Sequence, residues 1–294
     1  MIHARFALTV LTLFLVAGPL LGQQRDNSSP EARARNAAAQ SAFEAEIVME
    51  NPIEPLDSVW LEELTWIEVR DAMASGKTTA IVSTGGVEQN GPYVALGKHN
   101  YVLQGVCERI ARALGDALCA PIIKLVPEGS IDPPSSHMRY PGTLTVREET
   151  FRMMLEDVAS SLNTHGFKHI ILIGDSGGNQ SGMSVVAEAL NTRWGKPVVH
   201  HIPEFYNNRD DEELLKRLGI TEESEGFHDF YWATALQMTV SPESVRYDQR
   251  VKAGKASING VSITPKEQTI TIGKKLMQNR TDRTVKAIHA IIGR

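Results

Sequence analysis

The chain has 294 residues, of which 42% are hydrophobic, 22% charged and 6% aromatic, enough apolar mass to exclude an intrinsically disordered protein. Lys+Arg total 30 against 35 Asp+Glu, a formal net charge of −5, which argues against nucleic acid as a partner. Two cysteines exclude a disulfide scaffold and a four-thiolate zinc site, while 23 Gly and 14 Pro without a period exclude a collagen-like chain.

Residues 1–22 read as a secretory signal peptide: a short cationic start, an apolar run (FALTVLTLFLVAGPLL), then Gly22 before a polar stretch. The apolar run is short for a membrane span, and Gly18-Pro19 interrupts it near its end. The mature chain is therefore expected to be secreted or periplasmic, with no membrane association after cleavage. Export would permit a Cys107–Cys119 disulfide, but the simpler reading is two small buried thiols. Residues 23–56 read as an N-terminal leader whose Ala-rich part (EARARNAAAQSAFEAE) suits an exposed helix.

Residues 57–294 read as a single α/β domain. Residues 79–84 form a short apolar run ending in Gly85-Gly86, a buried strand. Residues 100–114 place Val102, Leu103, Val106, Ile110 and Leu114 on one helical face. Residues 120–126 (APIIKLV) are strand-like again, and 148–164 are helical, stopped by Gly166. Residues 169–173 are the clearest strand, followed by a helix at 181–194, a strand at 198–202, a helix at 230–240, and one or two helices over 265–292. Strands alternating with amphipathic helices predict a three-layer α/β/α sandwich with a mostly parallel central sheet.

In such sheets the site lies beyond the carboxyl ends of the strands. Two Gly-rich loops occupy that place, Gly85 to Asn100 and Gly174 to Asn179, with further polar segments at 135–143 and 226–229. Together they offer Glu88, His99, His137, Asp175, Ser176 and His228. Neither loop is a GxGxxG or a Walker sequence, so phosphate cradling is weakly supported. Gly174-Asp175-Ser176-Gly177-Gly178 reads as G-x-S-x-G between a strand and a helix, the context of a serine nucleophile. Adjacent His200 and His201 on one strand point to opposite faces and are taken as structural. Trp60, Trp66, Trp194 and Trp232 are taken as packing residues, Trp232 one turn from His228.

Several blocks, in order, resemble the creatininase (creatinine amidohydrolase) family. Glu63-Leu64-Thr65-Trp66 resembles its opening ELTW, and Glu88-Gln89-Asn90-Gly91-Pro92-Tyr93 its EQHGPH. Arg139-Tyr140-Pro141-Gly142-Thr143 resembles its FPGT segment. His165-Gly166-Phe167, the following strand and Gly174 to Asn179 resemble its HGF, strand, NGHGGN block. The resemblance implies hydrolysis of a C–N bond, an amide or cyclic amide, in a small-molecule substrate. It also implies a homo-oligomer, commonly a hexamer, and a pair of divalent ions, zinc or manganese, that activate water.

Position by position the ligands carry over unevenly. Glu88 and the late His228 match. Where the family has further ligands, this chain has Asn90, His99, Ser176 and Ala233, and Phe227 precedes His228. One imidazole cannot bridge two cations as a carboxylate does, so His99 argues for a single ion. The expectation is thus one divalent metal on Glu88, His99 and Asp175, with His137 or His228 completing the set. Glu88, His228 and Ser176 are the catalytic candidates; Asn90, His137, Gly177, Gly178 and Asn179 are the substrate-binding candidates. Two alternatives stand beside this one: a degenerate member that binds a small molecule without turnover, and a serine hydrolase using Ser176.

Overall fold

The computed structural model describes residues 29–226 and 228–293, so the expected signal at 1–22 and Phe227 lie outside the described residues. The chain divides into two units, Met1–Pro52 and Ile53–Arg294. In the first, the Ala-rich stretch forms α1 (Pro30–Ile47). The Ser29 side chain caps it by accepting from the Ala32 N–H at 3.1 Å, and Pro30 fits the first helical position, where no N–H is needed.

The second unit runs α2 (Trp66–Ala74), β1 (Thr79–Thr84), α3 (Lys98–Leu114), β2 (Ala117–Cys119), α4 (Glu148–Thr164), β3 (His169–Gly174), α5 (Gln180–Trp194) and β4 (Val199–His201). It continues through α6 (Asn208–Arg217), α7 (Tyr231–Val240), α8 (Tyr247–Lys252), a small antiparallel pair β5 (Ser257–Ile258) and β6 (Val261–Ser262), and α9 (Lys266–Ile292). Among the described residues β1–β4 form a parallel sheet in the order β2-β1-β3-β4. The units β1–α3–β2 and β3–α5–β4 step outward in opposite directions. Right-handed crossovers therefore put α3 and α5 on opposite faces, which makes the α/β/α sandwich. The strand order reverses between β1 and β3, and a crevice opens beyond their carboxyl ends.

Burial follows the apolar pattern. Every residue of β1 is buried, as is all of β3 after His169. The α3 stripe of Val102, Leu103, Val106 and Ile110 is buried in the core. Each such side chain contributes roughly 1.5–3 kcal/mol.

Three local expectations need correction. Residues 120–126 do not form a strand. Pairing with β1 stops at Cys119 because Pro121 brings no N–H to the ladder, and it resumes only as a single bridge between Thr84 and Ile123. Cys107 and Cys119 are not free thiols but a disulfide linking α3 to β2. Trp66 is 47% exposed rather than packed, with the Arg70 guanidinium over its ring. At the C-terminus the expected one or two helices are a single continuous one, α9.

Helix α9 crosses α7 at Gly273, where an added Cβ would lie 1.9 Å from the Ala235 carbonyl oxygen. Backbone on both sides leaves no room for a methyl group. Gly273→Ala is expected to destabilise the domain by about 1–3 kcal/mol, read as a lower urea midpoint with an unchanged slope. An unchanged midpoint would show that the two helices can separate there freely.

Candidate active site

The switch between β1 and β3 delivers the charged residues. The loop after β1 carries Glu88, whose N–H donates to the Leu96 carbonyl at 3.0 Å. The same loop returns into α3, whose first turn bears Lys98 and His99. β3 ends in Gly174, and the Asp175 N–H donates to the Thr84 carbonyl at 3.1 Å, which fixes the second loop against the first.

A line of buried charges follows. Glu88 Oε1 lies 2.6 Å from His99 Nε2, and His99 Nδ1 lies 2.8 Å from Asp175 Oδ2. Asp175 Oδ1 accepts from Arg280 Nη1 at 2.5 Å, and Arg280 Nε donates to Asp211 Oδ2 at 2.8 Å. Arg283 Nη1 closes the line on Asp211 Oδ1 at 2.7 Å. Arg280 has no exposed surface, and its guanidinium lies 5.1 Å from the Trp232 ring centre and 5.7 Å from that of Phe205. Burial opposes its charge, but Asp211 and Asp175 hold it above the ordinary arginine range. Burial also pushes Asp175 up, yet the Arg280 charge and the His99 hydrogen bond bring it below the usual carboxylate value.

Glu88 is the hub. Its Oε1 is also 3.5 Å from Lys98 Nζ and 3.6 Å from His228 Nδ1, and its Oε2 is 3.2 Å from His137 Nε2. Burial pushes Glu88 up, but the His99 hydrogen bond and charge, then Lys98, hold it well below the usual carboxylate range. The residues border a cavity of about 560 Å³, with Glu128, Ser176 and Tyr206 on its wall. His228 Nδ1–H donates to the Gln89 carbonyl at 3.0 Å. Burial, then the Lys98 charge, pushes His228 down to about 4, so its ring is neutral at pH 7 with a lone pair on Nε2. Burial, then the Glu88 charge, pushes Glu128 up to about 9, so it keeps its proton at neutral pH.

One oxygen or nitrogen atom each from Glu88, His137 and His228 lies within 4.8 Å of the other two, a set suited to a metal ion. The expected set differed. His99 spends both ring nitrogens on carboxylates, and Asp175 spends both oxygens on His99 and Arg280, so neither has an electron pair directed at an ion. Two substrate-binding expectations are corrected as well. Asn90 is buried and donates to the Glu88 carbonyl at 2.8 Å, holding the loop. Asn179 is buried and donates to the Thr84 and Gly85 carbonyls at 3.2 and 2.9 Å, tying the second loop to β1. Ser176, Gly177, Gly178 and His137 do border the cavity. A Cβ on Gly178 would lie 2.8 Å from the Pro127 carbonyl oxygen, so the turn passes Pro127 only because it has no side chain there. His201 bonds Gln180 at 3.0 Å and the His200 ring lies tilted 5.7 Å from that of His169; neither residue lines the cavity.

Sequence reasoning passed over Lys98, Glu128 and Arg280. Arg280 carries a signal: Ile272, Leu276, Arg280, Thr284 and Ile288 follow one another at four-residue spacing on a buried stripe of α9. A charge on an apolar stripe calls for a buried partner. Arg280→Met leaves Asp175 and Asp211 without their shared cation, and the expected loss is about 3–5 kcal/mol, measured by urea unfolding. A loss below about 1 kcal/mol would show that the line is not a structural support.

The comparisons with known proteins agree with this fold. A family model described as creatinine amidohydrolase matches residues 62–288. A creatinine amidohydrolase of Pseudomonas putida is 26% identical over 129 residues, which cover 44% of this chain and 48% of that protein. Its alignment thus spans about half of that relative's length. A solved structure described as "Creatininase Mn" has a TM-score of 0.61 at 20% identity, over 80% of this chain and 98% of that one. A mutant creatininase described as Zn-Zn type has a TM-score of 0.59, also at 20% identity, over 80% of this chain and 98% of its own. The chain belongs to the creatininase family.

Proposed function

We propose that this chain is an exported hydrolase that cleaves a C–N bond, an amide or cyclic amide, in a small molecule, using one divalent ion held by Glu88, His137 and His228. The observation that carries this reading is the convergence of those three donors on a cavity at the strand switch. Two imidazoles and one carboxylate are a common set for a catalytic zinc with an open position. His228 fits the part in detail: its ring is neutral, and its other nitrogen donates to a backbone carbonyl, the arrangement that orients a ligating histidine. Zinc and manganese are the ions to test, because relatives of the same fold carry them in their descriptions. When bound, the ion would polarise the carbonyl and lower the pKa of a bound water.

The chain's own residues supply the rest. The protonated Glu128 carboxyl on the cavity wall holds a proton for the leaving nitrogen. Lys98, which lines the same cavity as the Gly177–Gly178 turn, supplies positive charge for the developing oxyanion. Phe230 and Trp232, stacked with ring centres 5.8 Å apart, wall off water on one side and suit a flat substrate. The Ser176 hydroxyl is a substrate contact in this scheme. Among the described residues no histidine bonds it, so a serine-hydrolase reading lacks its base.

Export rests on the signal pattern and on the Cys107–Cys119 disulfide, which suits an oxidising compartment. A homo-oligomer, with a hexamer first among the candidates, rests on the family resemblance, and light scattering on the purified protein measures it.

Metal analysis and an amide panel test the enzyme reading. Wild type is expected to hold one zinc or manganese per chain and to release product from a small cyclic amide. Glu88→Gln and the His137→Ala/His228→Ala pair are expected to lose the ion and at least about 100-fold in activity. Ser176→Ala is expected to keep activity within about tenfold, since a contact rather than a nucleophile is removed. Ligand-induced stabilisation with no product would favour a binder without turnover. Intact mass of protein secreted by a bacterial host is expected to lack residues 1–22; a full-length mass in that fraction would refute cleavage.

A further inference from the structure

Lys98 stands in a place that opposes a positive charge twice over. It is 4% exposed, and it occupies the first turn of the 17-residue helix α3, where the helix dipole disfavours a cation. No side chain caps that helix end. What compensates is a set of carboxyl groups: Lys98 Nζ lies 3.5 Å from Glu88 Oε1 and also feels Asp175 and Glu128. These groups come from the loop after β1, the end of β3 and the segment following Pro127, and they face the cavity together. A cluster of this kind needs cations to be stable in the interior. Protein groups already provide them, since Arg280 engages Asp175 and Lys98 serves Glu88. One donor that a second divalent ion would need is spent as well, since His99 has both nitrogens occupied. Asn90 donates to backbone carbonyls through its amide nitrogen and keeps a buried oxygen without a partner. Glu128 Oε1 is also buried without a hydrogen-bond partner, against Gly86 and within reach of the Lys98 charge.

We propose that the Lys98 ammonium is the built-in second cation of this site. It does for Glu88 and Asp175 what a second divalent ion would do, and it limits the chain to one exchangeable ion. The inference deepens the one-ion reading of Glu88, His137 and His228, but it concerns only the effect of the lysine charge on ion uptake. With Lys98 neutralised, Glu88 loses a competing cation, and an ion arriving beside Glu128 can displace the carboxyl proton and bind through Oε1.

The test is calorimetric titration of zinc chloride and manganese chloride into metal-stripped full chain, with metal analysis after dialysis. Wild type is compared with Lys98→Gln, Lys98→Met and Lys98→Arg, and folding is checked by circular dichroism. The neutral variants are expected to take a second ion per chain or to bind the first at least about tenfold more tightly. Lys98→Arg keeps the charge and is expected to match wild type. A neutral variant that folds only with added ion would support the proposal too, because the ion then replaces the ammonium. The proposal is overturned if wild type takes two ions with Lys98 intact. It is also overturned if the neutral variants match wild type in stoichiometry and affinity, or if they fail to fold and no ion rescues them. The two readings separate cleanly. No ion in wild type with one in Lys98→Gln refutes the one-ion enzyme and upholds Lys98. One ion in wild type that is unaffected by Lys98→Gln does the reverse.

Discussion

A carboxylate taken out of water must be met by cations or by several hydrogen-bond donors, or it gives up its charge. Glu88 is almost wholly buried and stays ionised, and much of the unit from residue 53 onward can be understood as the means of keeping it so. His99 and Lys98 reach it from the first turn of α3, and His137 and His228 from separate loops. Through His99 the hydrogen-bonded line continues to Asp175, then to Arg280 and Asp211 on two further helices. Each member satisfies the next, so no member can be exchanged without leaving a neighbour unpaired in a region of low polarity.

The fold makes this line short. β1 and β3 are adjacent, and their carboxyl ends release the two loops that hold Glu88 and Asp175. Two asparagines, Asn90 and Asn179, fasten those loops to backbone carbonyls, which is why they contribute rigidity rather than substrate contact. Gly273 lets α9 approach α7 closely enough to bring Arg280 under the site. The C-terminal helix is thus tied to the chemistry through one guanidinium, although its residues lie far from the loops in sequence.

The chain belongs to the creatininase family, and its resemblance to the family's motifs implies that Glu88 and His228 are kept while several other ligand positions hold different residues. On the proposal made for Lys98, side chains bring clustered carboxylates part of the positive charge that metal ions would bring: the lysine beside Glu88 and the arginine beside Asp175. Three donors remain pointed at a common volume, and beside them a glutamic acid keeps its proton because burial and the Glu88 charge both disfavour a second anion. A proton donor and an ionised ligand formed from the same residue type, set apart by environment alone, are what hydrolysis of an unreactive bond calls for.

The sequence by itself determined the parallel sheet, the helices on its faces and the loops that had to carry polar function, because apolar periodicity and Gly-rich strand ends are local properties. It also placed Glu88, His137 and His228 among the candidates. Only the tertiary structure decided how the charged residues pair. His99 and Asp175 look like ligands when each is read alone, and they cease to be so once Arg280, about a hundred positions later in the chain, is found against Asp175. The same holds for Pro121 ending the ladder at Cys119 and for the cysteines joining across α3 and β2. Which lone pair is free and which is already taken is a matter of distances of about 3 Å between remote segments, and no local pattern encodes that.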